Sequence, residues 1–190
     1  HLSAPSIYAA ALEALEIEAG VSVLNVGSGT GYMASLISHI AGRRAIHVGI
    51  ELHQELVDHA RQKLDGLGHT HVQLHCGSCF ALDPEASMRF ERIYVGAGAS
   101  QRSAEVLFRM LHVGGIIVGP FVYEGQESLI KATMRSERSF AVERLLPVAF
   151  APLVSDGARP DSLVLRGPEW GVDSWRLFPP RFLGVAALLT

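Results

Sequence analysis

Three glycines, Gly27, Gly29 and Gly31, alternate with other residues directly after a short apolar run. A residue without a Cβ lets the backbone adopt a positive φ and lets a ligand approach the main chain closely. Glu51 follows the next apolar run, twenty residues after Gly31. A carboxylate at this spacing can accept hydrogen bonds from both hydroxyls of a ribose. The four residues therefore predict a site that cradles a nucleotide-like cofactor.

The order of the glycines narrows the class of cofactor. The pattern is G-x-G-x-G, whereas dinucleotide sites carry G-x-G-x-x-G. S-adenosylmethionine has no pyrophosphate, so such a turn need only contact an adenosine and an amino-acid end. Asn25 stands two residues before the first glycine, where a carboxylate is expected. We predict S-adenosylmethionine, with a nicotinamide dehydrogenase as the rival class and a turn needed only for tight strand–helix packing as the alternative without a ligand.

Strand-like and helix-like patterns alternate along the chain, which is typical of a parallel sheet covered on both faces. The glycine turn joins a buried strand over 21–26 to a helix, and a second strand spans 45–50. Further strand-like segments cover 72–76, 93–95, 116–118, 129–134, 142–145 and 148–150. No long helix separates the last three. The sequence predicts an α/β fold with a doubly wound, mostly parallel Rossmann-like sheet of the methyltransferase type and antiparallel closing strands.

We predict that this domain spans residues 1–155. Residues 156–190 are punctuated by Gly, Pro and Asp, which predicts an irregular C-terminal extension that packs on the domain or leads to a linker. Within it, 183–189 has the pattern of a short helix or an edge strand. The chain starts at His1 without a Met or a signal-like segment. We therefore expect a piece of a larger polypeptide that has other domains.

Composition excludes several classes of protein. Hydrophobic residues make up 48% and charged residues 18% of the chain, which argues against disorder. The net charge is −3, and no basic stripe interleaved with aromatics is visible, so nucleic acid is not an expected partner. No apolar run has the length of a membrane span. Two cysteines make no disulfide framework, which predicts a reducing, cytoplasmic location.

Histidines and cysteines crowd into residues 69–79 and raise the alternative of a metal site. Strand alternation places His71 and His75 on one face and Cys76 on the other, whereas zinc needs four converging ligands. Cys76 and Cys79 also form a C-x-x-C pattern, but it ends a strand and does not open a helix. We therefore predict no metal site and no redox site here.

Ser3-Ala4-Pro5, directly before a helix start, resembles the substrate-side motif of protein-L-isoaspartate O-methyltransferases. The glycine turn resembles the first cofactor motif of that family. Later motifs of the family are matched in order by Val48-Gly49-Ile50-Glu51, Cys76-Gly77-Ser78, Arg92-Ile93-Tyr94-Val95-Gly96-Ala97-Gly98 and Val113-Gly114-Gly115. The resemblance covers roughly residues 1–155 and is closest to the isoaspartate-methyltransferase domain-containing branch.

The resemblance implies an activity and a set of site residues. The family methylates isoaspartyl carboxylates in damaged proteins and peptides, with S-adenosylmethionine as the methyl donor. Ser3 is implied to lie beside the isoaspartyl carboxylate as the catalytic residue. The implied cofactor-binding residues are Asn25, Gly27, Ser28, Gly29, Gly31, Glu51, Leu52, Gly77 and Ser78.

Three positions depart from the pattern of the catalytic members, which usually carry a His at Ser6, an acid at Asn25 and an Asp at Ser78. Each lost carboxylate removes a charge-assisted hydrogen bond of about 1.5–3 kcal/mol. The departures support an alternative function. In that alternative the domain is a catalytically weak or inactive recognition module, since the resembling branch is associated with substrate recruitment to ubiquitin ligases.

Overall fold

The computed structural model describes residues 3–137, 139–153 and 163–165. In these ranges seven strands form one sheet in the order β3-β2-β1-β4-β5-β6-β7. The strands are β1 Val23–Val26, β2 His47–Glu51, β3 Gln73–Cys76, β4 Phe90–Val95, β5 Leu111–Tyr123, β6 Gln126–Ser136 and β7 Ser139–Pro147. The helices are α1 Pro5–Leu15, α2 Tyr32–Ala41, α3 Gln54–Gly66 and α4 Gln101–Arg109, with a 3-10 turn at Cys79–Ala81.

The first five strands are parallel, and β6 and β7 are antiparallel to their neighbours. This confirms the predicted fold class, including the antiparallel closing strands. The strand order reverses at β1, which lies between β2 and β4. Ligands of open α/β sheets bind outside the carboxyl ends of the strands at such a reversal. The fold therefore places the glycine turn, which follows β1, at its natural binding cleft.

Apolar side chains fill both faces of the sheet. On one face α1 and α2 cover β1 and β5 through buried residues that include Leu15 and Ile37. On the other face α4 and the 3-10 turn cover the strands, with Leu107 fully buried. Pro5 occupies the first turn of α1, where its missing N–H costs no hydrogen bond. The carboxyl ends of β1, β2 and β4 are neighbours at one edge of the sheet, where the binding cleft is expected.

The last three strands differ from the prediction in length and position. β5 runs on to Tyr123 because it forms a long hairpin with β6, closed by Glu124 and Gly125 at positive φ. The predicted strand over 148–150 is wrong, since β7 ends at Pro147. The Phe150 N–H donates to the Glu127 carboxylate at 3.3 Å, so a side chain takes the place of a neighbouring strand.

Only a short part of the C-terminal region lies in the described residues. Leu163 pairs with the loop after β3: its N–H donates to the Ala81 carbonyl at 2.7 Å, and its own carbonyl accepts from Asp83. Leu165 is 1% exposed, and its carbonyl accepts a hydrogen bond from the Met88 N–H at 2.9 Å. The predicted boundary at residue 155 stays a prediction, and the segment 183–189 lies outside the described residues. In the described ranges, no helix is long and apolar enough to cross a membrane.

His47 at the start of β2 gives the fold a pH dependence. Its side chain is fully buried, and within the described residues neither ring nitrogen has a hydrogen-bond partner. Burial, with a smaller contribution from His71 and His69, lowers the pKa of His47 from 6.5 to about 3. Between these values the unfolded chain binds a proton that the folded chain does not. Stability is therefore full above pH 6.5 and falls as the pH drops.

Because of His47, we expect the unfolding free energy to be about 2 kcal/mol lower at pH 5 than at pH 7. Urea denaturation at both pH values measures this loss. The variant His47→Leu removes the titrating group and keeps the apolar environment, so its loss over the same interval should be smaller by that amount. Equal losses in the two proteins would show that His47 takes up no proton on unfolding, because the folded protein already binds that proton at pH 5.

Candidate active site

The glycine turn between β1 and α2 is fixed by backbone hydrogen bonds to β2. The N–H groups of Gly27 and Ser28 both donate to the Ile50 carbonyl, at 2.8 and 3.0 Å, and the Gly31 N–H donates to the Ser28 carbonyl at 2.9 Å. Gly27, Gly29 and Gly31 all have positive φ, of 73, 54 and 83°. The left-handed conformation at three positions explains why the sequence alternates glycines here.

Two further glycines make room for the turn, and sequence reasoning did not name them as site residues. A Cβ on Gly49 in β2 would lie 2.5 Å from Ser28 Oγ, and a Cβ on Gly96 after β4 would lie 2.9 Å from the Gly27 carbonyl oxygen. Both belong to motifs that the resemblance matched. Their spacing in the chain gave no sign of this role, because the contact joins three different strand ends.

Two backbone N–H groups hold the Glu51 carboxylate next to the glycine turn. One oxygen accepts from the Gly29 N–H at 2.8 Å and the other from the His53 N–H at 3.2 Å. Glu51 as a whole is 8% exposed. Each carboxylate oxygen has two lone pairs, so both retain capacity for a hydroxyl donor from a ligand. The predicted ribose-binding residue is therefore brought into contact with the predicted cradle.

Three of the residues implied to bind the cofactor, Leu52, Gly77 and Ser78, lie at the carboxyl ends of β2 and β3. The Gly77 N–H donates to the Glu51 carbonyl at 2.9 Å, and the Leu52 carbonyl accepts from the Cys76 thiol at 3.4 Å. Ser78 is buried, and its hydroxyl oxygen accepts from the Phe80 N–H at 3.3 Å. Ser78 thus begins the 3-10 turn, a local role that the sequence did not predict.

Ser28 and Asn25 differ in what their side chains do. The Ser28 hydroxyl lies within donating distance of the carbonyls of Asn25 (3.1 Å) and Ile50 (3.3 Å), so it is directed at the backbone that supports the turn. Asn25 is 0% exposed, and neither polar atom of its amide has a partner in the part of the chain described. It is in register with Gly49 and Tyr94. An unpaired buried amide is costly unless a ligand or solvent satisfies it.

Two tyrosines connect the Ser3 segment, which is predicted to contact the substrate, with the glycine turn. The Ser3 N–H donates to the Tyr8 hydroxyl oxygen at 3.2 Å. The rings of Tyr8 and Tyr32 lie 5.2 Å apart between centroids, with their planes at 60°. Tyr32 directly follows Gly31 and begins α2. Ser3 is half-buried, whereas Ser6 is exposed on α1.

The histidine and cysteine segment gives no metal site: across the described ranges, no group of three or more His, Cys, Asp or Glu could hold an ion. The Ser38 hydroxyl lies 3.0 Å from His69 Nδ1 and 3.1 Å from His71 Nε2, so one nitrogen of each ring contacts a serine. Both cysteines are free thiols. Burial raises the pKa of Cys79 to about 11, so its thiol is protonated at neutral pH.

The fold and the cleft define a class, the S-adenosylmethionine-dependent methyltransferase fold. A protein-L-isoaspartate O-methyltransferase from Plasmodium falciparum, solved with S-adenosyl-L-homocysteine, superposes with a TM-score of 0.69 at 21% identity. The match covers 81% of this chain and 76% of that one. A second solved protein-L-isoaspartate O-methyltransferase gives a TM-score of 0.71 at 24% identity, covering 83% of this chain and 49% of that one.

Sequence comparison identifies the family. The family model described as protein-L-isoaspartate(D-aspartate) O-methyltransferase matches residues 1–158. A protein-L-isoaspartate O-methyltransferase of Ignicoccus hospitalis is 34% identical over 155 residues, covering 82% of this chain and 72% of the relative. One of Rhodopseudomonas palustris is 33% identical over 159 residues, covering 83% and 70%. The chain belongs to the protein-L-isoaspartate O-methyltransferase family, which confirms the predicted resemblance.

Proposed function

We propose that this chain methylates isoaspartyl carboxylates in damaged proteins and peptides, with S-adenosylmethionine as the methyl donor. The observation that carries the proposal is the placement of the Ser3 segment against the glycine turn, through Tyr8 and Tyr32, in a chain of this family. If Ser3 contacts the acceptor and the glycine turn holds the donor, this contact brings the two sides of a methyl transfer next to each other. The two cysteines, both free, support a cytoplasmic location.

The residues of the cleft fit the proposed cofactor. The Glu51 carboxylate has free lone pairs for ribose hydroxyls, and the helix α2 directs its first N–H groups toward the turn. Asn25 offers a buried amide with no partner among the described residues, which a polar group of the amino-acid end would satisfy. The family resemblance implies that Gly77 and Ser78 lie along the adenine. Bound S-adenosylmethionine supplies a methyl group activated by its sulfonium charge.

The remaining task of the chain is to bind and orient the acceptor. The free carboxyl of an isoaspartyl residue is its α-carboxyl, and an unperturbed α-carboxyl titrates at about 3.3–3.7, so it is already ionised at neutral pH and needs no general base. The Ser3 hydroxyl can donate a hydrogen bond that fixes one carboxylate oxygen. Holding reacting groups in line provides much of the acceleration in such a reaction. The lack of a Ser-His-Asp arrangement in the sequence is therefore consistent with the proposal.

The test is methyl transfer from labelled S-adenosylmethionine to a peptide with one isoaspartyl residue. A peptide with ordinary Asp at that position is the matched control. We expect a base-labile methyl ester on the isoaspartyl peptide alone. If the protein binds S-adenosylhomocysteine but forms no ester above the control, the activity is refuted and the recognition module becomes the better account. The relatives from Ignicoccus and Rhodopseudomonas are named as enzymes, which favours the catalytic hypothesis.

Asn25 should affect stability and cofactor binding in opposite directions. Replacing it with Leu, which has a similar shape, removes a buried amide without protein partners among the described residues and should raise the unfolding free energy by about 1 kcal/mol. The same change removes a group for the cofactor and should weaken S-adenosylhomocysteine binding about tenfold. Urea denaturation and calorimetry measure the two effects.

Ser128 on β6 provides the control for Asn25→Leu. Its hydroxyl is also fully buried and has no partner among the described residues, but it lies on a strand away from the glycine turn. Ser128→Ala should leave cofactor affinity unchanged. If Asn25→Leu binds S-adenosylhomocysteine as tightly as the parent, the Asn25 amide does not contact the cofactor.

A further inference from the structure

Three of the four tyrosines of the chain gather on one face of the sheet, beside the glycine turn. Tyr8 lies on α1, Tyr32 begins α2, and Tyr94 lies on β4 in register with Asn25. Tyr94 is 2% exposed, and burial together with the nearby Tyr8 raises its pKa. Tyr32, in contrast, is 47% exposed. The cluster therefore extends from the core of the domain to the surface of the cleft.

Packing alone does not explain why residue 8 is a tyrosine and not a phenylalanine. Its ring contacts Tyr32 and joins the apolar layer under α1, a role that Phe would serve as well. Its hydroxyl oxygen instead accepts the Ser3 N–H. Ser3 precedes the first residue of α1, Pro5, and so lies outside the hydrogen-bonded body of the helix. The hydroxyl of Tyr8 thus anchors a residue that the helix itself does not hold.

We propose that Tyr8 is a positioning residue that sets the location of Ser3 relative to the glycine turn. One end of the Tyr8 side chain holds the Ser3 backbone, and its ring packs against Tyr32, which is covalently adjacent to Gly31. The side chain therefore spans from the acceptor side of the cleft to the donor side. This inference rests on the proposed function, because positioning of Ser3 matters only if Ser3 contacts the acceptor carboxylate.

Tyr8→Phe is the test, because it keeps the ring and removes the acceptor of the Ser3 N–H. We expect kcat/KM for the isoaspartyl peptide to fall about five- to tenfold, the size of one neutral hydrogen bond. Affinity for S-adenosylhomocysteine and the Tm should stay at the parent values. Tyr123→Phe makes the same chemical change at the far end of β5 and is the matched control. Parent-like kinetics in Tyr8→Phe, or a loss of cofactor affinity and Tm in parallel with activity, would overturn the inference.

A double-mutant cycle separates positioning from general packing. If Tyr8 acts through the Ser3 hydroxyl, then Tyr8→Phe should have little further effect in a Ser3→Ala background, where the hydroxyl is already gone. Additive losses would mean that Tyr8 acts by another route and would contradict the inference.

Binding of the isoaspartyl peptide to the protein loaded with S-adenosylhomocysteine distinguishes this inference from the proposed function, since it needs no turnover. If the parent binds the peptide without methylating it, the activity fails, and a peptide affinity about five- to tenfold weaker in Tyr8→Phe still supports the role of Tyr8. If the parent methylates the peptide and Tyr8→Phe matches it, only the inference fails. A parent that neither methylates nor binds the peptide overturns both.

Discussion

Glu51→Gln is expected to weaken S-adenosylhomocysteine binding about 30- to 100-fold. The carboxylate would accept both ribose hydroxyls in charge-assisted hydrogen bonds, and a charged acceptor is worth about 1.5–3 kcal/mol per bond against about 1 kcal/mol for a neutral one. The carboxamide keeps one acceptor oxygen and replaces the other with a donor. Isothermal titration calorimetry at fixed salt concentration measures the change.

The same substitution should also loosen the empty turn. In the parent, the two carboxylate oxygens accept from the Gly29 and His53 N–H groups. A Gln amide can accept only one of them, so one N–H loses its partner, at a cost of about 1–3 kcal/mol. Urea denaturation without ligand should therefore show a lower unfolding free energy. The loss of affinity thus combines weaker ribose contacts with a less well-ordered cradle.

Glu55→Gln is the matched control, because Glu55 is an exposed residue in the first turn of α3, four positions further on. It changes the net charge by the same amount near the same strand end. We expect it to bind S-adenosylhomocysteine like the parent. If Glu51→Gln binds within about threefold of Glu55→Gln, Glu51 does not hold the ribose, and the predicted cofactor orientation is wrong.

Gly31→Ala is expected to lower the unfolding free energy by about 2–5 kcal/mol. Gly31 has φ +83°, and its Cβ would lie 2.9 Å from the Cβ of Ala60 and 3.3 Å from its Cα, on α3. The left-handed conformation costs an L-residue about 1–2 kcal/mol. Overpacking a tight contact adds about 1–3 kcal/mol. Either the turn or α3 must shift, so cofactor affinity should fall as well.

Gly20→Ala separates the two contributions. Gly20 has the same φ of +83°, but a Cβ at this position would have open space around it, with no non-neighbouring atom of the described residues within 4 Å. Its substitution should cost only the conformational part. The difference between the two variants, by urea denaturation, measures the contact with Ala60. Equal losses of unfolding free energy in the two variants would show that α3 can shift without further destabilising the protein. That result would contradict tight packing of the turn on this helix.

Local patterns were enough for the parallel half of the fold. The alternation of apolar strands and helices before residue 111 reflects periodicities that each segment carries in its own sequence. The closing strands were harder, because their lengths depend on pairing between distant segments. β5 continues to Tyr123 only because β6 provides a partner along its whole length. In the segment 148–150, predicted as a strand, the Val148 N–H still donates to the Glu127 carbonyl of β6, whereas the Phe150 N–H donates to the Glu127 side chain.

The sequence by itself determined the glycine turn, the carboxylate of Glu51 at the end of the second strand and the family, because these depend on residue types at fixed spacings. The tertiary structure alone decided how the turn is accommodated. Gly49 and Gly96 come from other strands and leave the space that Ser28 and Gly27 occupy. It alone also paired Tyr8 with Tyr32 and buried the amide of Asn25. Such contacts join segments that are far apart in the chain, and only the packed sheet brings them together.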